Sequence, residues 1–244
     1  MLRIAIFGAT SGIAEAAARN FAKEGAAFFL VARDETALAD MASDLKVRGA
    51  AAVETHVADL ADLAALPPLC ETAKQVLGMI DVALIAHGVL PDQQVCETSA
   101  EATLDVLRIN TLSPASLMIH IGSILSAQKS GSLVVISSVA GDRGRPSNYI
   151  YGASKALLSV IGEGMALKLA ANGVKVLVVK PGFVDTKMTA AFPKGPLWAS
   201  AADVGGAIAA AVKAGKSGTI YTPGWWRLVM LIIKFAPGFL VRRL

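Results

Sequence analysis

The chain reads as a single α/β domain: a doubly wound, seven-stranded parallel sheet flanked by helices on both faces. Three observations predict it. Short apolar runs recur seven times, Ala/Leu-rich stretches of crossover length separate them, and several runs lack the alternation of a strand with one wet face. At 244 residues the chain can fill one large core and is short for two.

In chain order the strands are expected at 2–7 (LRIAIF), 27–32 (AFFLVA), 52–57 (AVETHV), 81–86 (DVALIA), 132–137 (SLVVIS), 174–179 (VKVLVV) and 218–222 (GTIYT). Helices are expected at 13–25, 34–48, 60–78, 99–128, 151–172 and 201–214. Strict alternation of strand and helix calls for crossovers between parallel strands, which puts helices on both faces. No repeat, low-complexity tract or linker breaks the pattern. The expected division is a catalytic domain at 1–222 and an apolar, basic tail at 223–244.

Composition narrows the function. Hydrophobic residues make up 54% and charged ones 17%, yet no run of 18 clean apolar residues exists, so no spanning helix is expected. The apolar start of MLRIAIFGATSG is too short for a secretory signal, and a cytoplasmic protein is expected. Cys70 and Cys96 have neither disulfide density nor metal-ligand spacing, and His56, His87 and His120 form no HExxH pair, so no metal is expected. A net charge of +4 with no basic block in the body of the chain speaks against nucleic acid.

The first strand runs directly into GATSGIAEAA. Gly8 and Gly12 stand where the chain must turn sharply and let its backbone approach a ligand. The helix start that follows offers free N–H groups and a positive dipole end to a phosphate. Ala14 takes the third small position, where the helix packs on the strand. Glycines here could be turn punctuation alone, but a strand before and a helix after are the context of a Rossmann-type dinucleotide site. At the end of the second strand stand Arg33 and Asp34. A guanidinium there suits a ribose 2′-phosphate and favours NADP over NAD, although a solvated arginine is the plain alternative. Asp34 reads as the N-cap of the following helix.

YIYGASK places Tyr151 and Lys155 at i and i+4, on one face of a helix. A surface contact would explain the pair, and so would a phenol whose acidity is tuned by a fixed ammonium. Ser138, in GSLVVISSVAG, precedes Tyr151 by thirteen residues, and both fall on the side of the sheet where doubly wound folds bind ligands.

With these residues in order, the chain resembles the one-domain short-chain dehydrogenase/reductase family over residues 2 to about 222. The matching features are GATSGIA, Asp59 in VADL, Gly88 after the fourth strand, Asn110 in RINTLSP, Ser138, YGASK, and KPGFVDT with Pro181, Gly182 and Thr186. The resemblance implies a catalytic set of Asn110, Ser138, Tyr151 and Lys155. It implies a cofactor set of Gly8, Thr10, Ser11, Gly12, Ile13, Arg33, Asp59, Leu60, His87, Gly88, Tyr151, Lys155, Pro181, Gly182, Val184 and Thr186. Tyr151 is then the acid for carbonyl reduction and the base in reverse, its pKa drawn down from ~10 by Lys155 and the oxidised nicotinamide. Ser138 holds the substrate oxygen, Lys155 also binds the nicotinamide ribose, and Asn110 positions a relay water. Asp59 accepts from the adenine amino group or caps a helix at Leu60. Thr186 contacts the nicotinamide amide, and Val184 and Pro181 bracket its ring or merely pack.

One departure matters. Where most members have Asn-Asn-Ala-Gly, this chain has Ile85, Ala86, His87 and Gly88. A bracing asparagine is lost, so the loop must be held otherwise, and His87 either approaches the cofactor or packs in the loop. The AHG variant is similar to a reductase subgroup acting on membrane-linked sugars, of the decaprenylphosphoryl-2-keto-erythro-pentose reductase kind.

The tail WWRLVMLIIKFAPGFLVRRL (225–244) is apolar and carries Arg227, Lys234, Arg242 and Arg243 with no acid. As a helix its first segment puts Arg227 and Lys234 on one side and Val229, Ile232 and Ile233 on another, which suits a membrane interface. A subunit contact or a lid over the substrate pocket is the alternative. The expected protein is therefore an NADP-dependent oxidoreductase acting on a small or lipid-linked carbonyl, as a homodimer or homotetramer, cytoplasmic and peripheral on the membrane. The alternatives are a soluble ketone, steroid or acyl substrate with the tail as subunit interface, and a non-catalytic dinucleotide scaffold.

Overall fold

In a computed structural model, residues 1–242 are described, and Arg243 and Leu244 of the expected tail lie outside them. Seven parallel strands form the sheet: β1 (Arg3–Phe7), β2 (Ala27–Ala32), β3 (Ala52–Val57), β4 (Val82–Ile85), β5 (Ser132–Ile136), β6 (Lys175–Pro181) and β9 (Gly218–Thr222). Their order across the sheet is β3-β2-β1-β4-β5-β6-β9. Along each inner strand successive side chains enter opposite faces. Ile4 and Ile6 of β1 join Phe28, Leu30, Leu84, Val134 and Leu177 in one apolar layer. Ala5 and Phe7 join Phe29, Val31, Ile85, Val135 and Val178 in the other. Both layers are dry, which is why these strands read as continuous apolar runs.

The first layer is closed by α1 (Gly12–Ala22), α2 (Glu35–Val47) and α8 (Ala201–Lys213), the second by α3 (Leu66–Leu77), α6 (Ser113–Gln128) and α7 (Tyr149–Leu169). Asp34 caps α2 as expected, its Oδ1 accepting the Ala37 N–H at 2.9 Å. Two expected helices differ. The segment expected to be helical from residue 60 begins its helix at Leu66, because Pro67 and Pro68 fit only a first turn; before them Asp59 and Asp62 accept the N–H groups of Ala61 and Ala64 in turns. The stretch 99–128 is not one helix. It divides into α5 (Ala100–Leu107), a π turn at Arg108–Leu112 and α6, with Pro114 at the start of α6. A short α4 (Gln93–Thr98) precedes it, capped by Asp92.

Two further elements were not expected from the sequence: β7 (Phe183–Asp185) and β8 (Trp198–Ser200), a two-stranded parallel pair beside the main sheet. The chain ends in α9 (Trp226–Phe235) and α10 (Gly238–Val241). In α9 the stripe Trp226, Val229, Met230 and Ile233 packs against Val139 and Tyr221. That corrects the side expected for the tail: Val229 and Ile233 face the protein, and Ile232 faces outward. Among the described residues no helix is long and apolar enough to cross a membrane.

Candidate active site

Strand order reverses between β1 and β4, which opens a crevice at their C-terminal ends. A cleft of about 350 Å³ lies there. Every position expected to hold the cofactor lines it. The β1–α1 turn supplies Gly8, Thr10, Ser11, Gly12 and Ile13, the end of β2 supplies Arg33, and the loops after β3 and β4 supply Asp59, Leu60, His87 and Gly88. Pro181, Gly182, Val184 and Thr186 form the opposite wall.

The residues present fit a dinucleotide. Gly8 has φ +84°, and a Cβ there would sit 2.6 Å from the His87 backbone nitrogen, so only glycine lets the two loops meet. Ser11 precedes α1 without capping it, which leaves the first N–H groups of that helix free to meet a phosphate. Arg33 is exposed at the cleft edge and makes no hydrogen bond or ion pair among the described residues. Asp59, besides capping its own turn, faces the same cleft.

Ser138, Tyr151 and Lys155 converge on the inner end of the cleft. Ser138 leaves β5 and starts a 3-10 turn, Val139–Asp142, with its Oγ accepting the Ala140 N–H at 3.1 Å. That turn lies directly on α7: a Cβ on Gly152 would stand 2.8 Å from the Ala140 carbonyl oxygen. The close approach fixes the turn begun by Ser138 against the first turn of α7, which carries Tyr151. Lys155 is buried, donates to the Ile136 carbonyl at 3.0 Å, and holds its Nζ 5.9 Å from the Tyr151 ring centroid.

Asn110 stands behind the cleft rather than on its wall. Its Oδ1 accepts the Val89 N–H at 2.7 Å and its Nδ2 donates to the Val89 carbonyl at 2.8 Å, with Ser154 Oγ at 3.4 Å. Both ends of the amide thus pin the loop after β4, and a relay water would have to use a remaining lone pair or proton. His87 supplies the second brace through Nε2, 2.8 Å from Ser113 Oγ. Together these answer how the loop is held without the usual asparagine.

A family model described as short chain dehydrogenase matches residues 3–196. The chain belongs to the short-chain dehydrogenase/reductase family. An oxidoreductase of Mycobacterium tuberculosis H37Rv, described as uncharacterized, is 37% identical over 241 residues, covering 99% of this chain and 96% of that protein. A variant of actinorhodin polyketide ketoreductase crystallised with NADPH superposes at TM-score 0.81 and 23% identity, over 92% of this chain and 97% of that one. Levodione reductase does so at TM-score 0.83 and 22% identity, over 93% and 98%. These two likenesses are of fold.

In this short-chain dehydrogenase, burial dominates the site's acid–base chemistry. Burial raises the Tyr151 pKa, and the neighbouring Ser138 hydroxyl pulls it back in part. Lys155 was expected to depress it, yet in the protein alone desolvation of the phenolate prevails, because Nζ points at the Ile136 carbonyl rather than at the phenol oxygen. Burial also pushes the Lys155 ammonium down to about 8. His87 is pushed down to about 3, by burial first and the Lys155 charge second, so its imidazole is neutral.

Sequence reasoning passed over two supports of the site. Ser137 Oγ donates to the Lys155 carbonyl at 2.9 Å and meets Ser159 Oγ at 2.7 Å, fastening α7 to β5. Lys180, just before Pro181, pairs with Asp142 at 2.9 Å, and the Tyr221 hydroxyl donates to the same carboxylate at 2.8 Å. This cluster ties the turn begun by Ser138 to the wall containing Pro181 and Gly182. The one sequence signal was a lysine directly after the apolar run VLVV (176–179).

Proposed function

We propose that this short-chain dehydrogenase/reductase uses NADPH to reduce a carbonyl to a secondary alcohol, or runs the reverse. The observation that carries the reading is the convergence of Ser138, Tyr151 and Lys155 at the inner end of a cleft lined by all sixteen expected cofactor positions. When bound, the nicotinamide exchanges a hydride with the carbonyl carbon. The rest falls to the chain's own residues. Tyr151, kept protonated by burial, donates its phenolic proton to the carbonyl oxygen. Ser138 donates a hydrogen bond to that same oxygen, since its side chain and Tyr151 line the same cleft. Lys155 adds positive charge beside the phenol, stabilising the phenolate left after transfer, and binds the nicotinamide ribose. Asn110 and His87 hold the β4 loop in place, with Asn110 as the anchor of the proton relay.

NADPH is preferred over NADH because Arg33 presents an unpaired guanidinium where a 2′-phosphate would lie. The NADPH bound by the actinorhodin ketoreductase variant agrees with this choice. Arg33→Ala should weaken NADPH binding at least tenfold and leave NADH binding nearly unchanged; equal losses would remove Arg33 from phosphate recognition.

The substrate we favour is a lipid-linked carbonyl, a keto-sugar among the candidates, met at the cytoplasmic face of a membrane through 225–244, with 1–222 as the catalytic domain. The acid-free, basic and aromatic tail supports this. A soluble ketone is the second reading, favoured by exposed apolar residues near the cleft mouth that a second subunit could cover, such as Phe183 and Met188. A homodimer or homotetramer is expected either way, since Leu104, Ile119, Val160 and Leu167 leave apolar positions exposed on α5, α6 and α7. NADPH consumption across a panel of soluble ketones and lipid-linked keto-sugars tests the function: turnover only with lipid-linked members supports the first substrate, turnover only with soluble ketones the second. No consumption with any carbonyl, together with no NADPH binding, would refute the oxidoreductase reading.

A further inference from the structure

The helix α9 is apolar on two sides, and only one of them is used by the fold. Trp226 and Met230, 4% and 2% exposed, seat the helix against Val139 and Tyr221. The other stripe, Leu228, Leu231, Ile232 and Phe235, repeats the same i, i+3, i+4, i+7 spacing and points outward, with Ile232 at 65% and Phe235 at 76% exposure. Phe239 and Leu240 of α10 continue the uncovered surface, and Trp225 stands at its start. Arg227 and Lys234 are exposed on α9, and Arg242 is exposed just past α10.

Charge decides what covers it. The tail's four cations, Arg227, Lys234, Arg242 and Arg243, equal the chain's whole formal net charge of +4, so residues 1–222 are balanced at 19 of each sign. A second copy docked by this face about a two-fold axis would set cations against cations, with no acid between 223 and 244 to answer them. An anionic bilayer offers the complement to both features: a negative surface for the cations and an acyl boundary for the apolar stripe. Ten helical residues are too few to span a bilayer and enough to lie in its interface.

We infer that the outward stripe of α9, continued by α10, is a preformed docking surface for anionic lipid, held rigidly because the inward stripe is locked into the fold. The inference rests on the membrane reading above and names the face and the lipid charge. It also fixes the enzyme's orientation. Trp226 lies on the Gly182 backbone and meets Phe183 edge-on at 5.6 Å, and Val139, the residue after Ser138, packs beneath the helix. The docked surface therefore adjoins the wall and the turn that frame the substrate end of the cleft, and a lipid-borne substrate would reach Tyr151 without leaving the interface.

The test is co-flotation of the full-length protein with vesicles of phosphatidylcholine alone and of an equal mixture with phosphatidylglycerol. The protein should float with the mixture and not with phosphatidylcholine alone, and raised salt should release it. I232D/F235D, two exposed positions, should abolish flotation, and R227Q/K234Q should weaken it about thirty-fold, near fivefold for each cation's share of surface attraction. NADPH binding by fluorescence, run on the same samples, should be equal in all variants. Flotation absent in the unaltered protein, or undiminished in I232D/F235D, would overturn the inference. So would a dimer that I232D/F235D dissolves in the absence of any vesicle binding. Absence of NADPH binding with flotation intact would sink the oxidoreductase reading and leave the docking surface standing.

Discussion

Lys180→Met tests whether the buried cluster behind the site holds the structure together. Lys180 and Asp142 have side chains only 9% exposed, with Nζ and Oδ1 2.9 Å apart. Tyr221 adds its hydroxyl to the other carboxylate oxygen at 2.8 Å, and its pKa is raised by burial and by the Asp142 charge. Glu163, 3.4 Å from Nζ and 48% exposed, adds little, as expected of a solvated pair. Methionine matches the length of lysine without its charge, leaving the Asp142 carboxylate buried with only the Tyr221 hydroxyl as a side-chain partner. Removing one member of such a pair costs about 3–5 kcal/mol, a large share of the ~5–15 kcal/mol that holds a typical protein folded. Lys180→Met/Asp142→Asn removes both charges and should recover more than half of that loss. Urea unfolding at neutral pH measures both variants, with equal slopes confirming that the unfolded states are comparable. A loss under about 1 kcal/mol in the single variant, or no recovery in the double, would refute the buried-pair reasoning.

Two further predictions concern the site's frame and its charge. Gly152→Ala drives a Cβ to within 2.8 Å of the Ala140 carbonyl oxygen, a backbone atom that cannot swing away. It should cost about 1–3 kcal/mol, whereas Gly164→Ala, on the same helix with nothing within 4 Å, should be neutral or mildly stabilising; equal effects in urea unfolding would remove the close approach as a constraint. Lys155 titrates at about 8 when folded and near ~10.4 when unfolded, so between these values the unfolded chain holds the extra proton and stability rises with pH. The cost of burying the ammonium, about 3 kcal/mol, is thus full below pH 8 and fades as pH rises. Lys155→Met should gain most over the unaltered protein at neutral pH and lose that advantage toward pH ~10; a pH-independent difference in urea unfolding would contradict the shift.

The sheet was legible because its inner strands are buried on both faces and so carry continuous apolar runs, and each expected strand, the edge strands included, overlaps the observed one. The cleft lining was legible because glycines, serines and the Tyr151–Lys155 pair stand at positions that the parallel topology brings to one edge. What escaped depends on contacts between distant segments. The break at Asn110 follows from its side chain being committed to Val89, twenty-one residues earlier in the chain. The raised Tyr151 pKa follows from how far the fold desolvates the phenol at the cleft wall, which spacing cannot report. The same limit applies to α9, apolar on two sides, where only the packing of Trp226 and Met230 reveals which stripe the fold takes.

The most direct test is Tyr151→Phe, which removes one oxygen from a half-buried ring on the cleft wall. NADPH binding by fluorescence should stay within about threefold of the unaltered protein, while NADPH consumption with the best carbonyl of the panel falls by about a hundredfold or more. Turnover retained in Tyr151→Phe would show that the proton comes from elsewhere and would contradict the assignment of this site.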